Sequence, residues 1–289
     1  MPRYTTREED YGQGTQPHPG RKGLLMEKTR TIRSGDWLEV EIFPIVDVET
    51  GVIRDRKRKK SPEAVRRINE RNAVKRLERL MNCNFGPGDL LPHLTMAKSC
   101  TFEEMQKTVR NFVKRLQRRA KKQGVALRYI YVIETTGEGN RQKHHVHMCV
   151  NGGWISREEM ESMWRWGLAR VDRCQRIEKG LAGFANYITQ RKETQKRLMQ
   201  RRWGASKGLK QPQITENKRK FSRRACEKIA RGVMEDARAI FEKQYPGFRL
   251  IEQPLIRWSE FLPGCYIYAM MVRNGDKQGA NAQARAWAD

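Results

Sequence analysis

From Asp36 to Ile53 apolar and polar positions alternate, with Leu38, Val40, Ile42, Val46 and Val48 on one parity, which predicts a strand broken at Pro44. From Ser61 the period lengthens, and Val65, Ile68, Ala73, Leu77, Leu80 and Met81 describe an amphipathic helix ended by NFGPGD. LLPHLTMAK (90–98) is a short apolar strand. Thr101 and Glu104 then stand at capping-box spacing ahead of a helix whose stripe is Phe102, Met105, Val109, Phe112, Val113, Leu116 and Ala120, closed by Gly124. RYIYVIETT (128–136) and HHVHMCVN (144–151) read as two strands of a hairpin. A short helix capped by Ser156 and Glu159, a half-buried strand ARVDRCQRI and a helix EKGLAGFANYITQRK (178–192) with Leu181, Phe184, Ala185 and Ile188 on its apolar face follow. Lys and Arg dominate from 190 to 231, after which ACEKIARGVMEDARAIFEKQY (225–245) restores helical periodicity and YIYAMMV (266–272) reads as a last strand.

The middle of the chain thus runs strand, helix, strand, strand, helix, strand. That order predicts an α+β fold with a ferredoxin-like split β-α-β core: an antiparallel sheet, helices on one face, and the other face free for a substrate. The expected division is a disordered Gly-, Pro- and charge-rich tail (1–30), an N-terminal strand and helix (31–90), the core (91–195), a basic C-terminal extension (196–275) and a flexible tail (276–289). The N-terminal strand and YIYAMMV are candidates to pair with each other beside the core sheet.

Charge narrows the partner. The net charge is +26 with a pI near 10.2, far beyond what solubility needs, which points to a polyanion, nucleic acid before membrane. Arg176 to Arg231 carries 17 Lys and Arg against 4 Glu, so this stretch is the expected backbone grip, with a merely solvated basic face as the bland alternative. The six cysteines form no C-x-x-C pair, which argues against a zinc ribbon or disulfide framework and fits a reducing cytosol. No apolar h-region opens the sequence and no apolar run nears the ~18 residues of a membrane span, so a cytoplasmic protein with no membrane partner is expected. No G-x-x-x-x-G-K-[ST] is present, which leaves any unwinding to a separate helicase.

Five histidines exist in the chain, and three fall in KHHVHM. On a strand His145 and His147 share a face, Val146 points to the core and His144 points away from the pair, toward solvent or phosphate. The hairpin partner YVIETT offers one carboxylate, Glu134, in an otherwise apolar strand, where it is costly unless paired or bound to a cation. Two imidazoles and a carboxylate leave coordination positions open, as catalytic sites do. By ligand chemistry alone the ion is Mn, Mg, Zn or Fe. The alternative is two hydrogen-bonded histidines beside a salt-bridged Glu134.

An open metal site in a basic protein suggests phosphodiester chemistry. No carboxylate cluster offers a second metal, and Tyr187 is the candidate nucleophile. Gly180 and Gly183 flank it, each costing a helix about 1 kcal/mol relative to Ala, which suggests that something approaches closely. A phenol with a reference pKa near 10 needs help to ionise, and Arg191 or Lys192 would favour the phenolate. The bland alternative packs Tyr187 at the core margin.

His145-Val146-His147 resembles the His-hydrophobe-His signature of HUH endonucleases, HLTMAK their first motif, and ANYITQRK their tyrosine-bearing third motif. NERNAVKRLERLMNCNF, GLAGFANYIT and RRWGASKGLKQPQIT are similar to rolling-circle replication initiators of bacterial phages and plasmids, the group related to filamentous-phage gene II proteins. The resemblance runs from about Asp36 to Val272 and is dense between Leu91 and Thr215. It implies a single-stranded or hairpin origin as substrate, Mg or Mn as cofactor, His145, His147 and Glu134 as ligands, and Tyr187 as the nucleophile. The product implied is a 5′-phosphotyrosine link with a free 3′-hydroxyl that a host polymerase extends after a host helicase opens the duplex. Relatives usually carry lysine three or four residues after the tyrosine. Here those positions are Gln190 and Arg191, so the cationic role lies between Arg191 and Lys192.

Lys98, Lys143 and His144 beside the site, with Arg197, Arg201, Arg202, Trp203, Lys207 and Lys210, complete the expected DNA-binding set. Two competing readings stay open: a single-tyrosine HUH transposase or relaxase, and a non-catalytic DNA-binding protein whose metal only stabilises the fold. An RNA-binding ferredoxin-like module lacks the aromatic pattern its sheet would need.

Overall fold

The computed structural model describes residues 24–47, 61–136, 143–174, 181, 203–259 and 262–275. They form an α+β structure with two antiparallel sheets and five helices among the described residues. In chain order the elements are β1 (Leu24–Ser34), β2 (Trp37–Asp47), α1 (Pro62–Asn84), β3 (Leu90–Thr95), α2 (Phe102–Lys122), β4 (Tyr129–Thr136), β5 (Lys143–Val150), α3 (Arg157–Met163), β6 (Ala169–Arg173), β7 (Gly204–Ala205), β8 (Gln213–Lys218), α4 (Arg223–Ala230), α5 (Met234–Gln244), β9 (Phe248–Leu250), β10 (Leu255–Trp258) and β11 (Cys265–Arg273). Contacts divide the chain into 1–72 with 212–289, and 73–211, which cuts across the linear division expected from composition.

In the discontinuous unit the sheet order is β10-β11-β2-β1-β8, with β9 on β11. β1 starts at Leu24, so residues 24–30, expected in a disordered tail, are paired with β2. Gly35, with φ of 63°, makes the two-residue turn between β1 and β2 that twisted antiparallel strands favour. β2 runs unbroken through Pro44. The β11 ladder on β2 ends at Ile42, two residues short of the proline, so the missing N–H interrupts no pairing there. The anticipated pairing of YIYAMMV with the N-terminal strand is present as Ile267↔Ile42 through Val272↔Trp37. One face of this sheet packs Leu38, Val40, Ile42, Ile267, Ala269 and Met271 against Ile229, Ala237 and Phe241. The helical stretch 225–245 is two helices rather than one, because Gly232 takes φ of 80° and ends the first.

In the second unit the order is β6-β3-β5-β4-β7, all antiparallel. The predicted α2 stripe is buried, and both halves of the Thr101–Glu104 capping box are formed. These side chains meet Leu94, Val146, Met148, Val150 and Met160, so α2 and α3 lie on one face. The opposite face is not free along its whole length. Leu77, Leu80, Met81 and Phe85 of and just after α1 cluster with Ile130, Val132 and Cys149 over its far end. The predicted helix 178–192 lies outside the described residues apart from Leu181. No described helix is long and apolar enough to cross a membrane.

Candidate functional site

The open end of that second face carries the histidines. β5 pairs with β4 and β3 on either side, setting Glu134 and Thr95 opposite His145, and Val132 and His93 opposite His147. Strand alternation then puts His93, Thr95, Glu134, His145 and His147 on one face, while Val146 enters the core. His147 Nε2 and Glu134 Oε2 share a hydrogen bond of 3.0 Å across the diagonal of the ladder. The His145 Nδ1 bonds Thr95 Oγ1 at 3.0 Å, which fixes the ring.

His93, which periodicity had absorbed into an apolar strand, joins them. Its ring stacks on His147 with centroids 4.4 Å apart and lies 5.5 Å from the His145 ring. Its Nε2 is buried and has no hydrogen-bond partner. The signal that could have found it is register: β5 is flanked by a strand on each side, and in β3 the polar positions His93 and Thr95 fall opposite His147 and His145.

Burial, and then the neighbouring His147 and His145 rings, push His93 below the ordinary imidazole range, with Glu134 opposing. Burial also lowers His145, again against Glu134. Both effects favour the neutral imidazole, the form that donates a lone pair to a cation.

Among the described residues no group of three or more His, Cys, Asp and Glu is placed to hold a metal ion; Glu134 and His147 close on each other. The donor types present, imidazole nitrogen and carboxylate oxygen, are those that bind divalent ions. Two adjacent ligands at about 2.1 Å from one ion stand about 3 Å apart, the separation of that pair. The unpartnered His93 Nε2 supplies a further lone pair.

His144 corrects an expectation. It is 5% exposed, its Nδ1 bonds Thr135 Oγ1 at 2.8 Å, and its ring meets the edge of Phe102. It serves the α2 side of the sheet and is buried rather than solvated, because a residue opposite the His145 face is by alternation on the core side. Lys143 is exposed at the start of β5 on the His145 face, and Lys98 is exposed three residues beyond Thr95. Lys207 and Lys210 are exposed too, but they follow β7 at the Tyr129 end of β4, away from Glu134. Backbone bonds to both amide atoms of Asn84 fix Lys210 in place. Trp203 is half-buried against the Leu77–Cys149 cluster, with the Arg76 guanidinium 6.0 Å from its ring, so one face of it is packing. Tyr187, Arg191, Lys192, Arg197, Arg201 and Arg202 lie outside the described residues.

Residues 90–192 match the family model of the replication-associated protein ORF2/G2P, a little over a third of the chain. The match supports a rolling-circle replication initiator-type Rep, and the family's role in replication implies DNA binding. No curated protein and no solved structure matches the chain.

Proposed function

We propose, on the premise of that ORF2/G2P match over residues 90–192, that the chain is an HUH-type endonuclease and strand transferase that initiates rolling-circle replication. The observation that carries the proposal is the gathering of His145, His147, Glu134 and His93 at one end of one sheet face. The strand order β6-β3-β5-β4 with α2 and α3 on one face supports the ferredoxin-like split β-α-β core.

His145 through Nε2, His147, Glu134 and His93 would hold Mn²⁺ or Mg²⁺. When bound, that ion supplies Lewis-acid stabilisation of the charge that develops on the scissile phosphate. Tyr187 Oη attacks the phosphorus in line, forming the Oη–P bond as the P–O3′ bond breaks. The phenolic proton passes to solvent and the departing 3′ oxygen takes one up. The product is a 5′-phosphotyrosine and a free 3′-hydroxyl, and attack by a 3′-hydroxyl in the reverse sense rejoins the strand. Arg191 or Lys192 favours the phenolate. Thr95 holds the His145 ring in the tautomer that ligation needs. Lys98 and Lys143 grip the backbone beside the chemistry, and the 197–210 stretch grips it further along. The substrate is a single-stranded or hairpin origin in the cytoplasm of a bacterial host, whose own helicase and polymerase complete the cycle.

The test incubates the full chain with Mn²⁺ and single-stranded oligonucleotides tiled across the replicon that encodes it, followed by denaturing gels. A covalent protein–DNA adduct is expected for the wild type and is absent for Tyr187→Phe and after chelation. An adduct that persists in Tyr187→Phe moves the nucleophile elsewhere. Tight, salt-sensitive binding with no adduct on any fragment leaves a DNA-binding protein without the nicking activity.

A further inference from the structure

The link between α3 and β6, Trp164-Arg165-Trp166-Gly167-Leu168, is seated on the end of β3. Ala97 N–H donates to the Trp166 carbonyl and Thr95 N–H to that of Leu168, both at 2.8 Å. Gly167 between them has no room for a side chain: a Cβ would lie 2.2 Å from the Thr95 carbonyl oxygen and 2.4 Å from the Ala97 nitrogen. Only glycine permits this backbone approach. The link is thereby locked to the residue whose hydroxyl holds His145.

The two tryptophans have different fates. Trp164 is buried against the edge of Phe112 and donates its indole N–H to the Thr95 carbonyl. Trp166 is half-exposed, leaning edge-on against Trp164, with the Arg115 guanidinium 5.5 Å from its ring. Leu168 is 80% exposed. Arg115 is held below its ordinary range by burial and by the neighbouring guanidiniums of Arg165 and Arg118. No carboxylate pairs with these three arginines among the described residues. Three neighbouring like charges, one of them over a half-exposed indole beside an exposed leucine, form a surface suited to a polyanion with a planar apolar part.

We propose that this ridge docks single-stranded DNA: an unpaired base stacks on Trp166 against Leu168, and Arg115, Arg118 and Arg165 take the flanking phosphates. The backbone bonds to Thr95 and Ala97 tie the ridge to the strand that carries His93. An unpaired strand is favoured over duplex because a base in a helix has no free face to stack on an indole, whereas every unpaired base has one. The proposal rests on the reading of DNA as partner and is independent of the metal and of Tyr187.

The experiment measures fluorescence anisotropy of labelled dT20, rU20 and a 20-base-pair duplex with the full chain, in EDTA, across a salt series. Trp166→Ala is expected to weaken dT20 binding about tenfold, with Trp166→Phe recovering most of it and duplex affinity changing far less. Leu168→Ser, at a position too exposed to unfold the chain, is expected to cost a severalfold loss. The triple variant Arg115→Gln/Arg118→Gln/Arg165→Gln is expected to lower the salt slope by about 2, at about 0.7 per phosphate on a single strand. Unchanged dT20 affinity in Trp166→Ala and Leu168→Ser, equal losses on duplex, or an unchanged salt slope overturns the docking site. Tighter Trp166-dependent binding of rU20 than dT20 overturns DNA as its occupant. The covalent-adduct assay fails or succeeds separately, since nothing in this binding measurement requires cleavage.

Discussion

Both sheets bury polar side chains, but they use them differently. In the six-stranded sheet the charges answer one another: Arg30 stands 3.6 Å from Glu41 across the β1–β2 ladder, and the Tyr268 hydroxyl donates to Glu39 at 3.0 Å. In the five-stranded sheet the polar group is three imidazoles around one carboxylate, with the His93 Nε2 buried and unpartnered. An acid and a base in contact neutralise each other, although Glu27 Oε2, Thr29 Oγ1 and Ser34 Oγ of the same sheet are buried without a hydrogen-bond partner; the imidazoles gathered on a single Glu134 add a buried, unpartnered ring nitrogen on His93. The first arrangement holds strands together. Under the proposed function the second offers its donors to a cation, and burial moves His93 and His145 toward the neutral form, which is far cheaper to bury than a charge.

Glu41→Ala gives the largest expected effect. It removes the carboxylate that stands 3.6 Å from the buried Arg30 guanidinium, with a loss of roughly 3–5 kcal/mol of stability in chemical denaturation and no change in Mn²⁺ affinity. An equal loss of Mn²⁺ binding would erase the distinction between the sheets. His145→Ala/His147→Ala should do the reverse: calorimetry should find Mn²⁺ affinity reduced more than a hundredfold, and the melting temperature in EDTA should stay near that of the wild type. Thr95→Val removes the hydroxyl that orients His145 and should weaken Mn²⁺ by about tenfold, as lost outer-shell partners do. His93→Gln separates a ligand from a packing ring: a similar tenfold weakening at unchanged melting temperature is expected, and unchanged affinity would return His93 to packing alone.

The smallest effect sharpens the other side. Glu27 in β1 is 4% exposed, and burial raises its carboxyl above the usual range, with Arg223 opposing. Because the folded pKa lies above the unfolded one, stability is fully present below the ordinary carboxylate value of 4.5 and is lost as pH rises through the raised one. Glu27→Gln should therefore flatten the melting temperature against pH above 4.5 and raise it modestly at neutral pH. A wild-type profile that already rises with pH in this window would contradict the assignment.

Much of the second unit was readable in advance. The α2 stripe, its capping box, the β4–β5 hairpin and the shared face of His145 and His147 follow from period 3.6, period 2 and cap chemistry, all of which are local. Glu134 was legible because a lone carboxylate in an apolar strand needs a reason. β1, β7, β8, β9 and β10 were missed. β8 is held by ladder bonds to β1 while its own side chains are almost all exposed, so no hydrophobic alternation announces it. The Pro44 expectation failed for a related reason: proline breaks a strand only where a partner needs its N–H, and where β11 stops is a tertiary fact.

By itself, then, the chain's order of residues determined the helices with a clear stripe, the strands with clear alternation, and that two histidines and a glutamate share a face, while its charge points to a polyanionic partner. Only the tertiary structure decided that residues 24–47 and 212–275 build one sheet from the two ends of the chain, that His93 stands against His147 while His144 turns into the core, and that Gly167 pins an arginine-flanked indole to the strand holding the site. Periodicity reports how a residue meets its own element. Register and packing bring remote residues together, and they depend on which backbone groups find partners across the fold.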